Sequence, residues 1–476
     1  MKTSLLAVAA IAFMLAGCAV TPVSDQVEVD VPAGWSNRPN NALTENREHL
    51  LQWWKGYGDP MLDELIANAI TANHDLKIAV ARVREAQALV TIADSLLYPT
   101  IDATAEVARN KSFERLPKPT TANVASFGLT AAWEIDLFGG NRLDAVAAAA
   151  QARSAEEGRR GVQVGLLAEV AVTYLELRGA QQQTKILQDN IAIQRERLRL
   201  LEARYNAGLA TELDVTRQRA LLKTTEAAMP LLTQATAFLI HRLSVLLGEP
   251  PARLGDRLRA SAPLPEKAPQ IPALLPADLL TQRPDLRRAQ AEVTAAAARL
   301  GSAKADLFPK LFLSANVART VFELGALPRV TGNVFALGLG LTAPIFNAGR
   351  IRAGINAEDA RFAQAATLYD KTFLTALEEV ENAFVAHTTA RERKTELAQA
   401  TLAADRAYRT ADAFYQRGLT DFLSVLDAQR AKLSAEDEEI RAQTAVTVSM
   451  VSLYRAFGGG WDSDEERPTA QAYRPQ

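Results

Sequence analysis

The chain has 476 residues, of which 48% are hydrophobic and 23% charged, and this balance excludes an intrinsically disordered protein. The formal net charge of −2 provides no basic surface of the kind that nucleic-acid partners require. Aromatic residues make up only 6%, whereas Ala, Leu, Glu, Arg and Gln are abundant, so a largely helical protein is favoured.

Residues 1–17 have the pattern of a secretory signal peptide: one lysine, then an apolar run too short to span a membrane. The segment leads into "LAGC", which resembles the bacterial lipobox, and Cys18 is the only cysteine of the chain. The resemblance implies that Cys18 carries lipid as the first residue of the mature protein, and that Ala19 directs it to the outer membrane. An export signal that ends in cysteine by chance is the alternative.

The rest of the sequence is an internal duplication. The stretch "HDLKIAVARVREAQALVTIADSLLYP" (74–99) aligns with "PDLRRAQAEVTAAAARLGSAKADLFP" (284–309) at an offset of 210. "FGGNR" (138–142) aligns with "FNAGR" (346–350) at an offset of 208. We therefore predict a first repeat over 74–248, a proline-rich connector over 249–283, a second repeat over 284–457 and a polar, mobile tail over 458–476.

Each repeat begins with an Ala-rich helix that a proline ends, at Pro99 and Pro309. Two segments with period-two alternation follow in each repeat. "SFGLTAAWEIDLF" shows this most clearly, with large apolar residues on one face and small or polar ones on the other. We predict strands at about 100–110, 125–138, 310–320 and 334–346.

A long proline-free helical pattern follows the strands in each repeat, from Arg142 to Tyr205 and from Arg350 to Tyr415. Each pattern ends at a related turn, with tips at 205–215 and 415–425. Gly208 and Gly418 suit the left-handed position after a helix, and Thr211 and Thr420 are candidate caps of the returning helices. Two long helical hairpins are therefore expected.

The predicted strands have the length of transmembrane strands, which are about 10 residues long. Strands in lipid cannot have open edges, and four strands are too few to close a barrel. We therefore expect several copies of the chain to share one barrel. The hairpins would lie on one side of the membrane and form a helical tunnel that continues the barrel.

Several motifs together resemble the TolC-like outer-membrane factors, and most closely their lipoprotein (OprM/NodT-like) subset. They are the lipobox, "LLYPTIDATAEV", "WEIDLFGGNR", "ADLLTQRPDLRRAQAEV", "FPKLFLSANV", "GLTAPIFNAGR" and the two "YxxGL" turns. The resemblance implies a homotrimer with a 12-stranded barrel and a 12-helix periplasmic tunnel, with residues 18–73 as a lipid-anchored segment and part of an equatorial region. It also implies the exit duct of a tripartite efflux pump, coupled through a periplasmic adaptor to an inner-membrane transporter of the RND type.

The same resemblance implies the site residues. A periplasmic gate would use Tyr415, Leu423, Asp427, Arg430 and Asp214, and the exposed tips Gly208, Leu209, Gly418 and Leu419 would contact the adaptor. The chain departs from some members at Ser424, where they carry a second acidic ring, and at Thr420, where they carry an arginine.

No sequence signal favours an enzyme, a cofactor or a metal site. "GLGLTA" (338–343) lies within a strand pattern and precedes a proline, so it is not a dinucleotide fingerprint. The four histidines are scattered and have no metal-ligand spacing. The alternatives to an efflux duct are a type I secretion exit channel and a trimeric coiled-coil structural protein or adhesin.

Overall fold

The computed structural model describes residues 23–38, 48–112, 120–272, 274–324 and 328–462. These residues form two compact units, which we call the strand unit and the hairpin unit. The strand unit contains residues 23–28, 81–156 and 288–371, and the hairpin unit contains 29–80, 157–287 and 372–462. Each unit therefore draws on both halves of the duplication.

The chain is mainly helical, as the sequence predicts. Its helices are α1 (Glu48–Leu51), α2 (Pro60–Ala72), α3 (His74–Ser95), α4 (Gly140–Asn206), α5 (Glu212–Leu246), α6 (Gly255–Leu258), α7 (Leu279–Gln282), α8 (Pro284–Ala305), α9 (Arg350–Gln416) and α10 (Phe422–Ala456), with short 3-10 helices at Trp53–Tyr57 and Pro276–Asp278. Among the residues described, no helix is both long enough and apolar enough to cross a membrane.

One antiparallel sheet lies in the strand unit, with strand order β1-β2-β3-β4. Its strands are β1 (Thr100–Ser112), β2 (Thr120–Ile135), β3 (Lys310–Leu324) and β4 (Val330–Thr342). β2 and β4 both begin and end earlier than the sequence predicts. β4 ends before Pro344, because proline has no N–H to donate to a strand ladder.

The strand register places large apolar side chains of all four strands on one face. Leu129 of β2 pairs with Ala103 of β1 and Val317 of β3, and Val317 pairs with Phe335 of β4. In the single chain this face is uncovered: Leu129 is 52%, Val317 53% and Phe335 76% exposed. The opposite face carries many small and polar residues, among them Asp102, Glu106, Thr130, Asn316 and Gly338, and it also carries Phe312 and Phe322 of β3. An apolar surface of this kind marks a contact with lipid or with another protein.

The two longest helices, α4 and α9, have 67 residues each, or about 100 Å at the α-helical rise. The returning helices α5 and α10 have 35 residues each. α5 continues through Pro230, although a proline inside a helix costs about 3 kcal/mol. Met229 and Leu232 on either side of it pack against the buried Leu187 and Ile191 of α4, and this packing holds the helix together.

The largest core lies in the hairpin unit. Trp53 stacks on Tyr454 with ring centroids 5.5 Å apart, and both side chains are fully buried. The proline-rich connector is part of this core, since Leu254, Leu258 and Ile271 are buried in it. The connector is therefore a packed structural element.

Arg283, in the motif "LLTQRPDLR", joins three elements of the hairpin unit. Its side chain is 7% exposed and forms ion pairs with Asp285 at 2.6 Å and with Glu379 of α9 at 2.7 Å. Its Nη1 also donates to the carbonyl oxygen of Ala456, at the end of α10, at 2.8 Å. One buried cation thus ties the end of the connector to both helices of the second hairpin.

Residues 458–461 differ from the sequence prediction of a mobile tail, because they are buried. Gly460 donates its N–H to the carbonyl oxygen of Leu50 at 3.0 Å, and its own carbonyl accepts from Gln163 at 2.9 Å. The Trp461 ring lies 4.6 Å from the guanidinium of Arg160. The small glycines allow this close approach, which composition alone does not reveal. The rest of the predicted tail, from 463 onward, lies outside the described residues.

Candidate gate at the helical tips

The two hairpin turns share one backbone geometry. Gly208 has a φ of 78° and Gly418 a φ of 76°, which confirms the predicted left-handed position after each long helix. After α4, Gly208 N–H donates to Tyr205 O at 2.9 Å and Leu209 N–H to Arg204 O at 2.8 Å. After α9, Gly418 and Leu419 make the same two bonds, to Tyr415 and Phe414. Both turns are therefore Schellman motifs.

The returning helices begin with different caps. Thr211 caps α5: its Oγ1 accepts the Asp214 N–H at 3.2 Å, and the Asp214 carboxylate accepts from Thr211 in return. In the second hairpin the prediction of Thr420 as the cap is wrong. Asp421 is the N-cap and accepts the Ser424 N–H at 3.0 Å. Asp421 lies 210 positions after Thr211, the same offset that relates Gly418 to Gly208, so the cap occupies the equivalent position in both turns.

Near the tips the two hairpins of one chain pack against each other. The contact is a cluster of buried apolar residues from α4, α5 and α10, namely Leu201, Val215, Leu221, Phe422, Val425 and Leu426. Tyr408 and Tyr415 of α9 pack on this cluster from its edge. Apolar packing thus holds four helices together at the end where the gate was predicted.

Tyr415 lies between the hairpins rather than on an open surface. Its ring is 5.2 Å from that of Phe422, and the Arg204 guanidinium lies 5.1 Å from its centroid. Burial raises the pKa of the Tyr415 hydroxyl; the carboxylate of Asp214 adds to the shift and Arg204 opposes it. The structure therefore brings two predicted gate residues, Tyr415 and Asp214, into one electrostatic environment.

Leu423, Asp427 and Arg430 form a second group, on the exposed face of α10. Their spacing of four and then three residues places them on one stripe of the helix. The Asp427 side chain is 63% exposed and that of Arg430 is 55% exposed, and the two are 3.8 Å apart. Leu423 is 38% exposed. Within one chain this stripe is solvated, and its charges make only a long contact with each other.

Sequence reasoning missed the two arginines of α4 that face the second hairpin. Arg204 lies over Tyr415, and Arg197 forms an ion pair with Asp412 at 2.7 Å while lying 5.3 Å from the Tyr408 ring centroid. Their spacing of seven residues on one helix face was the available signal. It does not reveal which neighbouring helix that face meets.

A cleft of about 450 Å³ lies beside these arginines. Its lining combines both long helices with the start of α10, and includes Leu200, Arg204, Asp412, Tyr415 and Phe422. The cleft is part of the contact between hairpins, so a relative movement of the hairpins would change its shape.

The two turns themselves are open to solvent. Leu209 is 69% exposed and Leu419 is 67% exposed. Apart from the glycine itself and its two chain neighbours, no described residue has an atom within 4 Å of the point where a Cβ would stand on Gly208 or Gly418. The predicted lipidation site, Cys18, lies outside the described residues.

The chain is similar to known proteins over nearly its whole length. The family model for outer membrane efflux proteins matches residues 65–249 and 275–459, one copy for each half of the duplication. The chain is 34% identical over 462 residues to the pyoverdine export outer membrane protein OpmQ of Pseudomonas aeruginosa, covering 95% of this chain and 96% of that one. It is 30% identical to the toluene efflux pump outer membrane protein TtgC of Pseudomonas putida, covering 99% of both.

The solved structure of the outer-membrane channel OprN superposes with a TM-score of 0.86 at 32% identity, covering 93% of this chain and all of that one. The sequence matches cover 95–99% of this chain and the structural superposition covers 93% of it. The chain belongs to the outer membrane efflux protein family.

Proposed function

We propose that three copies of the chain form the exit duct of a tripartite efflux pump. The observation that carries this proposal is the four-stranded sheet, which has an exposed apolar face and two unpaired edges, β1 and β4. Such edges are not stable in lipid. Three copies joined edge to edge give 12 strands in a closed barrel, whose small and polar face lines a water-filled lumen.

The long hairpins then form the periplasmic part of the duct. Three copies of the two hairpins supply 12 helices for a tunnel. A periplasmic adaptor and an inner-membrane transporter of the RND type are the proposed partners, with outer-membrane lipid around the barrel. The relatives named for pyoverdine export and toluene efflux favour a pump for small organic molecules over a protein-secretion exit.

Cys18 is the proposed lipid anchor, since several acyl chains would hold the protein firmly at the membrane. Replacing it by alanine should abolish acylation while the folded chain is still made. Mass spectrometry of the mature protein checks this, and a chain that still carries lipid after Cys18→Ala would rule the site out.

The gate proposal uses the two groups of residues at the tips in different ways. Tyr415 and Asp214 lie where the two hairpins of one chain meet, so they stabilise the packed arrangement of the hairpins. Leu423, Asp427 and Arg430 lie on the solvated stripe of α10, and three copies of this stripe around a common axis would form a constriction. A ring of three aspartates favours cations in the opening.

Single-channel recording in planar bilayers tests the gate. The double variant Asp427→Ala, Tyr415→Phe should conduct more than the native protein, because it loses the charged ring and the hydroxyl between the hairpins. Glu438→Ala is the matched control: this carboxylate also lies on α10, but it pairs with Arg393 of the same chain, so conductance should not change. Equal conductance of the double variant and the native protein would contradict the gate.

The tips are the proposed contact with the adaptor, because Gly208–Leu209 and Gly418–Leu419 combine an open backbone with an exposed leucine. Leu419→Asp should reduce substrate export and adaptor cross-linking while the amount of channel in the membrane stays the same. Unchanged export and cross-linking would exclude Leu419 from the contact.

A further inference from the structure

A stacked pair of phenylalanines joins the two repeats inside the strand unit. The rings of Phe138 and Phe308 lie 4.8 Å apart with an interplanar angle of 14°. Phe138 follows β2 and leads into α4, and Phe308 lies between α8 and β3. Phe138 is only 8% exposed. The two rings meet because β2 and β3 are paired neighbours, with Ile135 opposite Leu311 at that end of the sheet.

The duplication gives each of these residues a counterpart. Phe138 in "FGGNR" corresponds to Phe346 in "FNAGR", and Phe308 in "LFPK" corresponds to Tyr98 in "LYPT". Both counterparts are uncovered: Phe346 is 89% exposed and Tyr98 is 67% exposed. Neither ring has an aromatic partner among the residues that the structure describes. The duplication thus contains the aromatic pair twice. Phe138 and Phe308 are stacked on each other, whereas their counterparts Phe346 and Tyr98 are separate and exposed.

The two halves cannot meet within one chain. Phe346 follows β4 and Tyr98 precedes β1, and these strands are opposite edges of the sheet. Three strand spacings separate the edges, which is roughly 14 Å. Both rings therefore lie at an edge, where the sheet of another copy would continue.

The offsets of the duplication make such a continuation consistent with the two faces of the sheet. Side chains alternate between faces with a period of two, and both offsets, 210 and 208, are even. If β4 pairs with β1 of another copy as β2 pairs with β3, the apolar face of β4, with Leu337 and Leu339, continues the apolar face of β1, with Ile101 and Val107.

The helices next to the junctions support the same arrangement. Within the chain α4 packs closely on α8: a Cβ on Gly301 would lie 2.9 Å from Leu143, and one on Gly140 would lie 3.3 Å from Ala305. The counterparts of these helices are α9 and α3. The end of α3 and the turn that leads from it to Tyr98 expose two large apolar side chains, Ile92 (62%) and Leu96 (52%).

The α3–β1 junction is also fixed in place. Nε1 of Trp133 donates to the carbonyl oxygen of Leu97 at 3.1 Å, and Tyr98 donates its N–H to Ser95 O at 3.1 Å. Tyr98 therefore stands on a held backbone with its ring uncovered. On the other side, Ile345 next to Phe346 is 93% exposed.

We propose that Phe346 of one copy stacks on Tyr98 of the next copy, so that each junction between copies repeats the Phe138–Phe308 contact inside the chain. Ile345 covers the apolar end of the neighbouring α3 at the same contact. The occupant of this surface is a second copy of this chain, because the surface is the unpaired half of a contact that the chain already makes with itself. The inference rests on the proposed homotrimer and names the residues that hold its copies together.

Thiol cross-linking of the full-length protein in membranes tests the stack. The double variant Tyr98→Cys, Phe346→Cys is treated with dibromobimane, which becomes fluorescent when it bridges two nearby thiols. Fluorescent dimer and trimer bands are expected on denaturing gels, and neither single variant should give them. Phe138→Cys, Phe308→Cys is the matched control and should give a fluorescent band at the monomer position only.

Two results would overturn the inference in different ways. If an amine-reactive cross-linker yields trimers of the double variant but dibromobimane yields no fluorescent oligomer, the stack is wrong and the homotrimer stands. If the amine-reactive cross-linker yields no oligomers of the native chain, the homotrimer fails as well. As a second measurement, maleimide labelling of the single variant Tyr98→Cys should be slower in the native assembly than after heat dissociation. Equal labelling rates would also contradict the stack.

Discussion

Arg283 shows how much one side chain contributes within the hairpin unit. It reaches the end of α10 through the Ala456 carbonyl oxygen, and it also pairs with α9 through Glu379. Its two carboxylate partners are 43% and 51% exposed, so water can solvate them if the arginine is removed. The carbonyl of Ala456 would lose a charged donor.

Arg283→Met should therefore lower the free energy of unfolding by about 2–3 kcal/mol. This is the contribution expected from a hydrogen bond in which one partner is charged. Chemical denaturation in detergent measures this. Arg257→Met is the matched control: its pair with Glu64, at 2.6 Å, is exposed on both sides and should contribute within about 1 kcal/mol. Equal losses in the two variants would contradict the role given to Arg283.

His387 makes the hairpin unit sensitive to acid. Its side chain is buried, with Nδ1 3.0 Å from the Ser449 hydroxyl. Burial lowers the pKa of His387 from 6.5 to about 4, and the positive charge of Arg391 adds to this. The unfolded chain binds the proton at a higher pH than the folded chain does. The stabilising contribution is therefore complete above pH 6.5 and is lost as the pH falls from 6.5 towards 4.

In the native protein we expect the free energy of unfolding to fall by up to about 3 kcal/mol over this pH range because of His387. His387→Gln should not show this part of the fall, because glutamine binds no proton there. The measurement is the free energy of unfolding at several pH values between 4 and 7. His241→Gln, at an exposed position, is the control and should retain the native slope. A native slope in His387→Gln would contradict this account.

The helices and strands were largely predictable, and the errors have identifiable physical causes. Period-two alternation located all four strands, because both faces of each strand are chemically distinct. The strand ends were less accurate, as at β4, where Pro344 was placed inside the strand although it has no N–H for the ladder. The prediction of Thr420 as the N-cap of α10 was wrong, because Asp421, one residue later, is an equally good cap.

The cap of α10 gives a direct test at the scale of the element. Asp421→Ala should destabilise the first turn of α10 by about 1 kcal/mol, because the Ser424 N–H loses its acceptor. Amide hydrogen exchange at Ser424 measures the change. Thr420→Ala is the control and should have a smaller effect, since the Thr420 hydroxyl contacts only the Ser424 side chain. The reverse order of effects would restore Thr420 as the cap.

Most contacts between secondary-structure elements could not be predicted from the sequence. The motifs predicted which residues form the gate, but they did not predict that these residues separate into a pair between the hairpins and a solvated stripe on α10. Periodicity shows that Arg197 and Arg204 share a helix face, yet the neighbour of that face depends on how the whole chain folds. Trp461 was missed for a similar reason, since its binding site is formed by distant parts of the chain.

At the scale of the whole molecule, the duplication accounts for both the fold and its incompleteness. Two repeats supply two strand pairs and two hairpins, and the contact between repeats, seen at Phe138 and Phe308, is the kind of contact that further copies can extend. One chain leaves an apolar sheet face and two sheet edges uncovered. Family membership explains why such a chain exists: it is an outer-membrane efflux protein, and its relatives act in export.

The most direct test of the shared barrel is the mass of the particle extracted from outer membranes, measured by native mass spectrometry after mild detergent solubilisation. Our account predicts three chains in each particle, because three copies of the four-stranded sheet close the barrel without leaving an edge in lipid. A stable particle that contains a single chain would contradict it.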